Sequence, residues 1–221
     1  MTEEMITVST SNGEAKVHIV KPETASDKAV MIIQEWWGVN SHILDIANRY
    51  AKEGFTAVVP DLYRGKIAKN SEEASKMMNE LALDDGIETI NAALQSAKKE
   101  TGISSFGITG YCMGGTFSLR AACLIEGFKA CAAFYGDIPE SEVLGKLSIP
   151  TLFISGNKDA WITPEKVNAL EKFAKENNLP LEVLRYEADH AFFNDQRPEV
   201  YNEAAAKEAW SKVTTFFKKN L

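Results

Sequence analysis

The sequence has little of the cysteine that would mark a disulfide scaffold or a zinc site. Only three cysteines, Cys112, Cys123 and Cys131, occur in 221 residues, and they lack paired metal-ligand spacing. Their number is odd, so we expect free thiols in a reducing, cytoplasmic setting. There a cysteine can serve as a nucleophile, and no metal site is expected.

Long apolar runs and an excess of basic charge are also missing. No stretch approaches the roughly 20 apolar residues of a membrane helix, and residues 1–7 lack the basic and apolar regions of a secretory signal. The formal net charge is −7, which argues against a nucleic-acid partner because phosphate binding needs clustered Lys and Arg. We therefore expect a protein that acts on a small-molecule substrate and binds neither nucleic acid nor a membrane. We expect it to be a monomer or a small homo-oligomer.

What is present is a regular alternation of strand-length apolar runs with segments of helical period. This pattern predicts an α/β protein with a mostly parallel central sheet and helices on both faces. No Pro/Gly/Ser-rich linker interrupts the chain, so we predict a single domain over residues 1–221. The predicted strands are 5–9, 15–20, 29–33, 56–60, 106–109, 130–135, 151–155 and 181–186. The predicted helices are 42–53, 71–81, 86–99, 114–125, 164–177 and 198–218.

The strongest local signal is Gly110-Tyr-Cys112-Met-Gly114-Gly, which follows a predicted strand and precedes a predicted helix. It matches the G-x-S-x-G nucleophile elbow with cysteine in the serine place. Such a tight turn needs small residues two before and two after the nucleophile, where Gly110 and Gly114 stand. The N-terminus of the next helix would favour thiolate at Cys112. The alternative is a glycine-rich turn around a core cysteine, the interpretation we favour for Cys123 and Cys131.

An elbow nucleophile requires an acid and then a histidine later in the chain. His190 follows the last predicted strand and is the only histidine downstream of Cys112, so it is the candidate base. Asp159, three residues beyond the turn at Gly156, is the candidate acid that would orient it. Asp189 and Asp137 are competitors for that role. We rank Asp189 lower because neighbouring side chains in an extended segment point apart.

The loop after residues 29–33 completes the candidate site. The backbone N–H groups of Trp36 and Met113 are the predicted oxyanion hole. Glu35 is an unusual carboxylate directly after a buried strand, and we expect it to meet the thiol or the substrate. Several residues near strand ends could wall the substrate pocket, although each is equally compatible with ordinary packing. We name for this wall Trp37, Tyr63, Arg64, Trp161 and Phe192.

Taken together, these segments resemble the dienelactone hydrolase (carboxymethylenebutenolidase) family. The resemblance lies in Gln34-Glu-x-x-Gly-Val-Asn40, Pro60-Asp-Leu-Tyr63, the cysteine elbow, Gly156-x-x-Asp159 and Ala188-Asp-His-Ala-Phe192. It implies an α/β-hydrolase fold and hydrolysis of a dienelactone through an acyl-enzyme on a Cys-His-Asp triad, without a cofactor. It also implies that Glu35 interacts with the resting thiol and moves, or takes its proton, when substrate binds.

One departure from the family concerns the arginines that hold the substrate carboxylate. Asn194 stands where one is expected after the histidine, and residues 66–83 contain no arginine. Arg64 and Arg197 could substitute, or could simply be solvated surface residues. Without a bidentate clamp, recognition of an acidic lactone would weaken. The alternatives are therefore a general small-ester carboxylesterase or a catalytically silent α/β-hydrolase that binds a small ligand.

Overall fold

A computed structural model describes residues 1–221. Its centre is one eight-stranded sheet in the order β1-β2-β4-β3-β5-β6-β7-β8. The first two strands form an antiparallel hairpin, and β2 pairs antiparallel with β4. All the other neighbouring strands are parallel. The strands are β1 (Thr2–Thr10), β2 (Gly13–Lys21), β3 (Lys28–Ile33), β4 (Thr56–Pro60), β5 (Ser105–Tyr111), β6 (Phe128–Phe134), β7 (Thr151–Gly156) and β8 (Leu181–Tyr186).

Seven helices connect these strands. They are α1 (Ser41–Lys52), α2 (Ser71–Glu80), α3 (Leu83–Thr101), α4 (Met113–Leu124), α5 (Ser141–Leu144), α6 (Pro164–Glu176) and α7 (Glu203–Asn220). None of them is long and apolar enough to cross a bilayer. The predicted α/β class and the mostly parallel sheet are confirmed.

The sheet divides the hydrophobic core in two. On one face, Ile46 of α1 and Phe217 of α7 pack over strand residues such as Ile32 and Val59. On the other face, helices α3, α4 and α6 cover the alternate strand residues. Strands β4 and β7 are wholly buried because helices cover both sides, which explains why they read as unbroken apolar runs.

One predicted helix start was wrong, and one helix was missed. The last helix begins at Glu203 rather than at residue 198, because the Asn202 side chain accepts a hydrogen bond from the Ala205 N–H at 3.1 Å and caps it. The short helix α5 was not predicted, since four residues carry too little periodicity. Elsewhere the predicted bounds lie within a few residues of those observed.

The parallel strands bring the candidate site residues to one edge of the sheet. Glu35 and Trp36 follow β3, Cys112 follows β5, Asp159 follows β7 and His190 follows β8. Because these strands all run the same way, their carboxyl ends meet at the same edge, where open α/β sheets bind ligands.

Candidate active site

Cys112 occupies a strained corner between β5 and α4. Its backbone φ of 56° lies in the left-handed region that residues other than glycine rarely adopt. Its N–H donates to the Phe134 carbonyl at 3.1 Å, which fixes the corner against β6. A Cβ at Gly110 would collide with the Gly114 carbonyl, and one at Gly114 with the Ile33 carbonyl. The glycines around the cysteine are therefore a steric requirement of this turn.

Asp159 and His190, the candidate acid and base, are joined by a direct hydrogen bond. The His190 Nδ1–H donates to Asp159 Oδ2 at 2.7 Å. Asp159 Oδ1 accepts from the backbone N–H groups of Trp161 at 2.8 Å and Ile162 at 2.9 Å. Burial disfavours the charged form of Asp159. The hydrogen bond and charge of His190, with the two N–H groups, outweigh burial and lower the Asp159 pKa. A charged carboxylate thus fixes the ring orientation.

The two competing carboxylates lie elsewhere. The Asp189 side chain is exposed and makes no hydrogen bond to His190. Asp137 accepts from Lys166 Nζ at 2.9 Å at the rim of the site. The remaining histidines are also set apart, since His18 lies in β2 and His42 is buried in α1.

His190 and Cys112 face the same cavity of about 480 Å³. The His190 ring lies between two aromatic rings, with centroids 4.8 Å from Trp161 and 5.1 Å from Tyr135. Its Nε2 is buried and has no hydrogen-bond partner. No hydrogen bond joins this nitrogen to the Cys112 sulfur.

The thiol of Cys112 is held in its protonated form. Burial, and then the negative charge of Glu35, raise its pKa to about 12, whereas the Met113 N–H acts in the opposite direction. The helix N-terminus was expected to favour thiolate, and the structure differs because desolvation outweighs the local dipole. Cys123 and Cys131 are buried in the core, as expected for packing residues.

Glu35 lies buried behind the cysteine. Only 1% of its surface is exposed, and its Oε2 accepts from Asn194 Nδ2 at 2.7 Å. Burial raises its pKa to about 7, although the Asn194 hydrogen bond and the charge of Arg197 lower it. No hydrogen bond links Glu35 to Cys112. Glu35 affects the thiol through its negative charge, which raises the Cys112 pKa.

The two expected oxyanion donors lie on either side of the cavity. Met113 is the first residue of α4, so its N–H has no acceptor within the helix, and it faces the cysteine sulfur. The Trp36 N–H donates to no backbone carbonyl or side chain. Both residues line the cavity that holds Cys112.

The pocket wall differs from the expected one. Trp161 does line the cavity, with 58% of its surface exposed at the mouth. Phe192 lies instead in the core against Tyr135 and Tyr186, because Ala191 adopts a left-handed conformation with φ 62° and turns the chain inward. Trp37 packs edge-on against Trp36 and does not reach the cavity.

Tyr63 and Arg64 also lie outside the cavity. The Tyr63 hydroxyl contacts Met113 Sδ at 3.1 Å from behind, and this ring is buried. Arg64 makes a two-point ion pair with Asp85 and a hydrogen bond to Thr10. Its guanidinium is therefore occupied by another carboxylate.

Sequence reasoning missed part of the wall and the partner of Glu35. Met78 and Leu81, at the end of α2, close the far side of the cavity, and Lys166 of α6 reaches its rim. Adjacent methionines on an otherwise polar helix were the available signal. Asn194 had no such signal, because the turn at Ala191 that directs it back to Glu35 has no glycine to announce it.

A cysteine at a strand-to-helix corner, followed in the chain by an aspartate and a histidine after later strands of a mostly parallel sheet, is the arrangement of an α/β-hydrolase. The model of the dienelactone hydrolase family matches residues 15–221, and the chain belongs to that family. It is accordingly a hydrolase acting on carboxylic ester bonds. The resemblance seen in the sequence is confirmed.

Individual relatives agree with this assignment. "Protein usf" of Aquifex pyrophilus is 34% identical over 204 residues, covering 87% of this chain and 88% of that protein. A "putative carboxymethylenebutenolidase" of Aquifex aeolicus is 31% identical and covers 99% of both chains. The crystal structure of a "putative dienelactone hydrolase" from Klebsiella pneumoniae superposes with a TM-score of 0.90 at 25% identity, over 98% of each chain.

Proposed function

We propose that the protein hydrolyses a lactone or a small carboxylic ester through a Cys112-His190-Asp159 triad and a covalent acyl-enzyme. The observation that carries this proposal is the unpartnered Nε2 of His190. Its ring is fixed by Asp159 at Nδ1 and faces the cavity that Cys112 lines. A ring nitrogen that faces the cavity and has no protein partner is available to exchange a proton with a group that enters the cavity.

In the first half of the proposed reaction, the Cys112 thiol transfers its proton to His190 Nε2 as its sulfur attacks the carbonyl carbon. Asp159 stabilises the imidazolium that forms. The N–H groups of Trp36 and Met113 would hold the developing oxyanion. When the tetrahedral intermediate collapses, the imidazolium gives its proton to the departing alkoxide, and a thioester remains on Cys112.

In the second half, neutral His190 takes a proton from a water molecule, and the resulting hydroxide attacks the thioester carbon. The acid product leaves, and the imidazolium returns its proton to the sulfur. Burial sets the resting state in this scheme, because it keeps the thiol protonated, and the negative charge of Glu35 adds to this effect when the carboxyl is ionised. Such a thiol is a poor target for adventitious alkylation and oxidation.

The test compares the wild type with Cys112→Ala and Cys112→Ser on p-nitrophenyl acetate, dienelactone and simple lactones. We expect Cys112→Ala to lose at least about 10³-fold in kcat/KM, since the nucleophile is absent. Mass spectrometry of the quenched wild type should find an acyl group on the peptide that contains Cys112. Full activity in Cys112→Ala would contradict the proposal, as would acylation of Cys123 or Cys131.

A further inference from the structure

The arginines of the chain are already engaged by carboxylates. All five arginines of the chain form ion pairs, and none lines the cavity around Cys112. These pairs are Arg49 with Asp45, Arg64 with Asp85, Arg120 with Glu140, Arg185 with Glu171 and Arg197 with Glu199. A substrate carboxylate would therefore meet no free guanidinium.

Apart from His190, the cavity contains one cationic side chain, and that cation has an internal partner. Lys166 Nζ lies 2.9 Å from Asp137 Oδ1, and both residues line the cavity. Asp137 is held in place by its backbone, whose N–H donates to Thr116 Oγ1 at 2.8 Å. The pair has no net charge, so the rim of the cavity offers little attraction to an anion.

The remaining wall of the cavity is mainly apolar. Ten of its fifteen residues are hydrophobic, and Met78, Leu81 and Phe117 close the side formed by α2 and α4. A volume of about 480 Å³ is in the usual range for a small-molecule site. An alkyl or aryl group gains by leaving water here, whereas a carboxylate would lose its hydration without finding a partner.

We propose that this cavity selects uncharged esters or lactones with an apolar acyl group and rejects those that carry a carboxylate on the acyl chain. Asp137 is the specificity-determining residue, because it occupies the ammonium group of Lys166 that a substrate carboxylate would need. This inference rests on the proposed ester hydrolysis and adds the class of substrate to it.

The direct test uses two esters of matched shape, p-nitrophenyl butyrate and mono-p-nitrophenyl succinate, whose acyl chains end in a methyl group and a carboxylate. Spontaneous hydrolysis, measured without protein, is subtracted. We expect the wild type to prefer the butyrate at least about tenfold in kcat/KM, since the carboxylate would be desolvated without a partner. Equal efficiency, or a preference for the succinate, would overturn the proposal.

The role of Asp137 is tested with Asp137→Asn, which removes the charge but keeps the shape. The ratio of succinate to butyrate efficiency should rise about fivefold, the upper range for an exposed ion pair. Adding Lys166→Gln to this variant should abolish the rise. Glu140→Gln neutralises an exposed carboxylate that pairs with Arg120 outside the cavity, and it should leave the ratio unchanged. An unchanged ratio in Asp137→Asn would refute the assignment of Asp137.

Binding separates this inference from the proposed reaction. Trp36 and Trp161 both line the cavity, so quenching of their fluorescence in Cys112→Ala reports the affinity for each intact ester. Tighter binding of the butyrate without turnover in the wild type would support the substrate class and refute the triad. Turnover that depends on Cys112, together with tighter binding of the succinate, would support the triad and refute the proposed substrate class.

Discussion

Asp159 and Glu35 are both buried carboxylates near the same cysteine, yet their surroundings shift their pKa values in opposite directions. Asp159 accepts hydrogen bonds from His190 and from two backbone N–H groups, and its pKa is lowered. Glu35 accepts from Asn194 alone, and burial raises its pKa to about 7. The comparison shows that burial by itself does not decide ionisation; hydrogen bonds to the charged form and a neighbouring positive charge can outweigh it.

Of the substitutions at these two carboxylates, Asp159→Asn should have the largest effect on activity. In Asp159→Asn the side chain keeps its shape but cannot stabilise the imidazolium or hold the productive tautomer. We expect kcat/KM to fall about 10³- to 10⁴-fold, measured with p-nitrophenyl butyrate. The matched control is Asp189→Asn, which changes the exposed neighbour of His190 and should lose less than about threefold. A comparable loss in both variants would argue against Asp159 as the orienting acid.

Glu35→Gln removes the unfavourable charge while the amide oxygen can still accept from Asn194. Burial raises the pKa of Glu35 from 4.5, the value expected in the unfolded chain, to about 7 in the folded protein. Between these two pKa values, Glu35 is ionised in the unfolded chain but still protonated in the folded protein, so the free energy of unfolding falls as the pH rises. Below both pKa values the protein loses no stability from Glu35, and above both the loss reaches its full value of about 3 kcal/mol.

The advantage of Glu35→Gln over the wild type in unfolding free energy should therefore grow by about 3 kcal/mol between pH 4 and pH 8. Urea unfolding at both pH values measures this difference. Glu72→Gln, at an exposed position of α2, is the control and should show no such trend. A constant difference between Glu35→Gln and the wild type would show that the Glu35 pKa is not raised by folding.

Asn194→Ala removes the one side-chain donor to Glu35 and so tests how far this hydrogen bond lowers the Glu35 pKa. A hydrogen bond to a charged group is worth about 1.5 kcal/mol, so the Glu35 pKa should rise by about one unit. Carbon-13 NMR of labelled glutamate carboxyls follows this titration, with Glu35→Gln identifying the signal. Asn177→Ala, exposed at the end of α6, should leave the midpoint unchanged. A midpoint that falls or stays constant in Asn194→Ala would contradict the stated role of this hydrogen bond.

Much of the fold was predictable because strand and helix periods are local properties. The unbroken apolar runs of β4 and β7 indicated strands covered on both faces, and both were found at the predicted places. The order of cysteine, aspartate and histidine after successive strands placed the three candidate residues at one sheet edge. These inferences held because side-chain size, apolar spacing and chain order restrict the backbone directly.

The pocket wall was much less predictable. Phe192 and His190 are two residues apart, but the turn at Ala191 sends one side chain into the core and leaves the other at the cavity. Arg64 looked available in the sequence, whereas Asp85 of a later helix engages it. Both outcomes depend on contacts between segments far apart in the chain, which no local pattern encodes.

The α/β class, the steric form of the cysteine corner and the chain order of the acid and the histidine could all be inferred from the amino-acid sequence. The protonation state of the thiol, the partner of Glu35 and the ion pair of Lys166 became evident only in the folded protein. The physical reason is that charge and hydrogen bonding depend on burial and on distances of a few ångströms, and folding sets both.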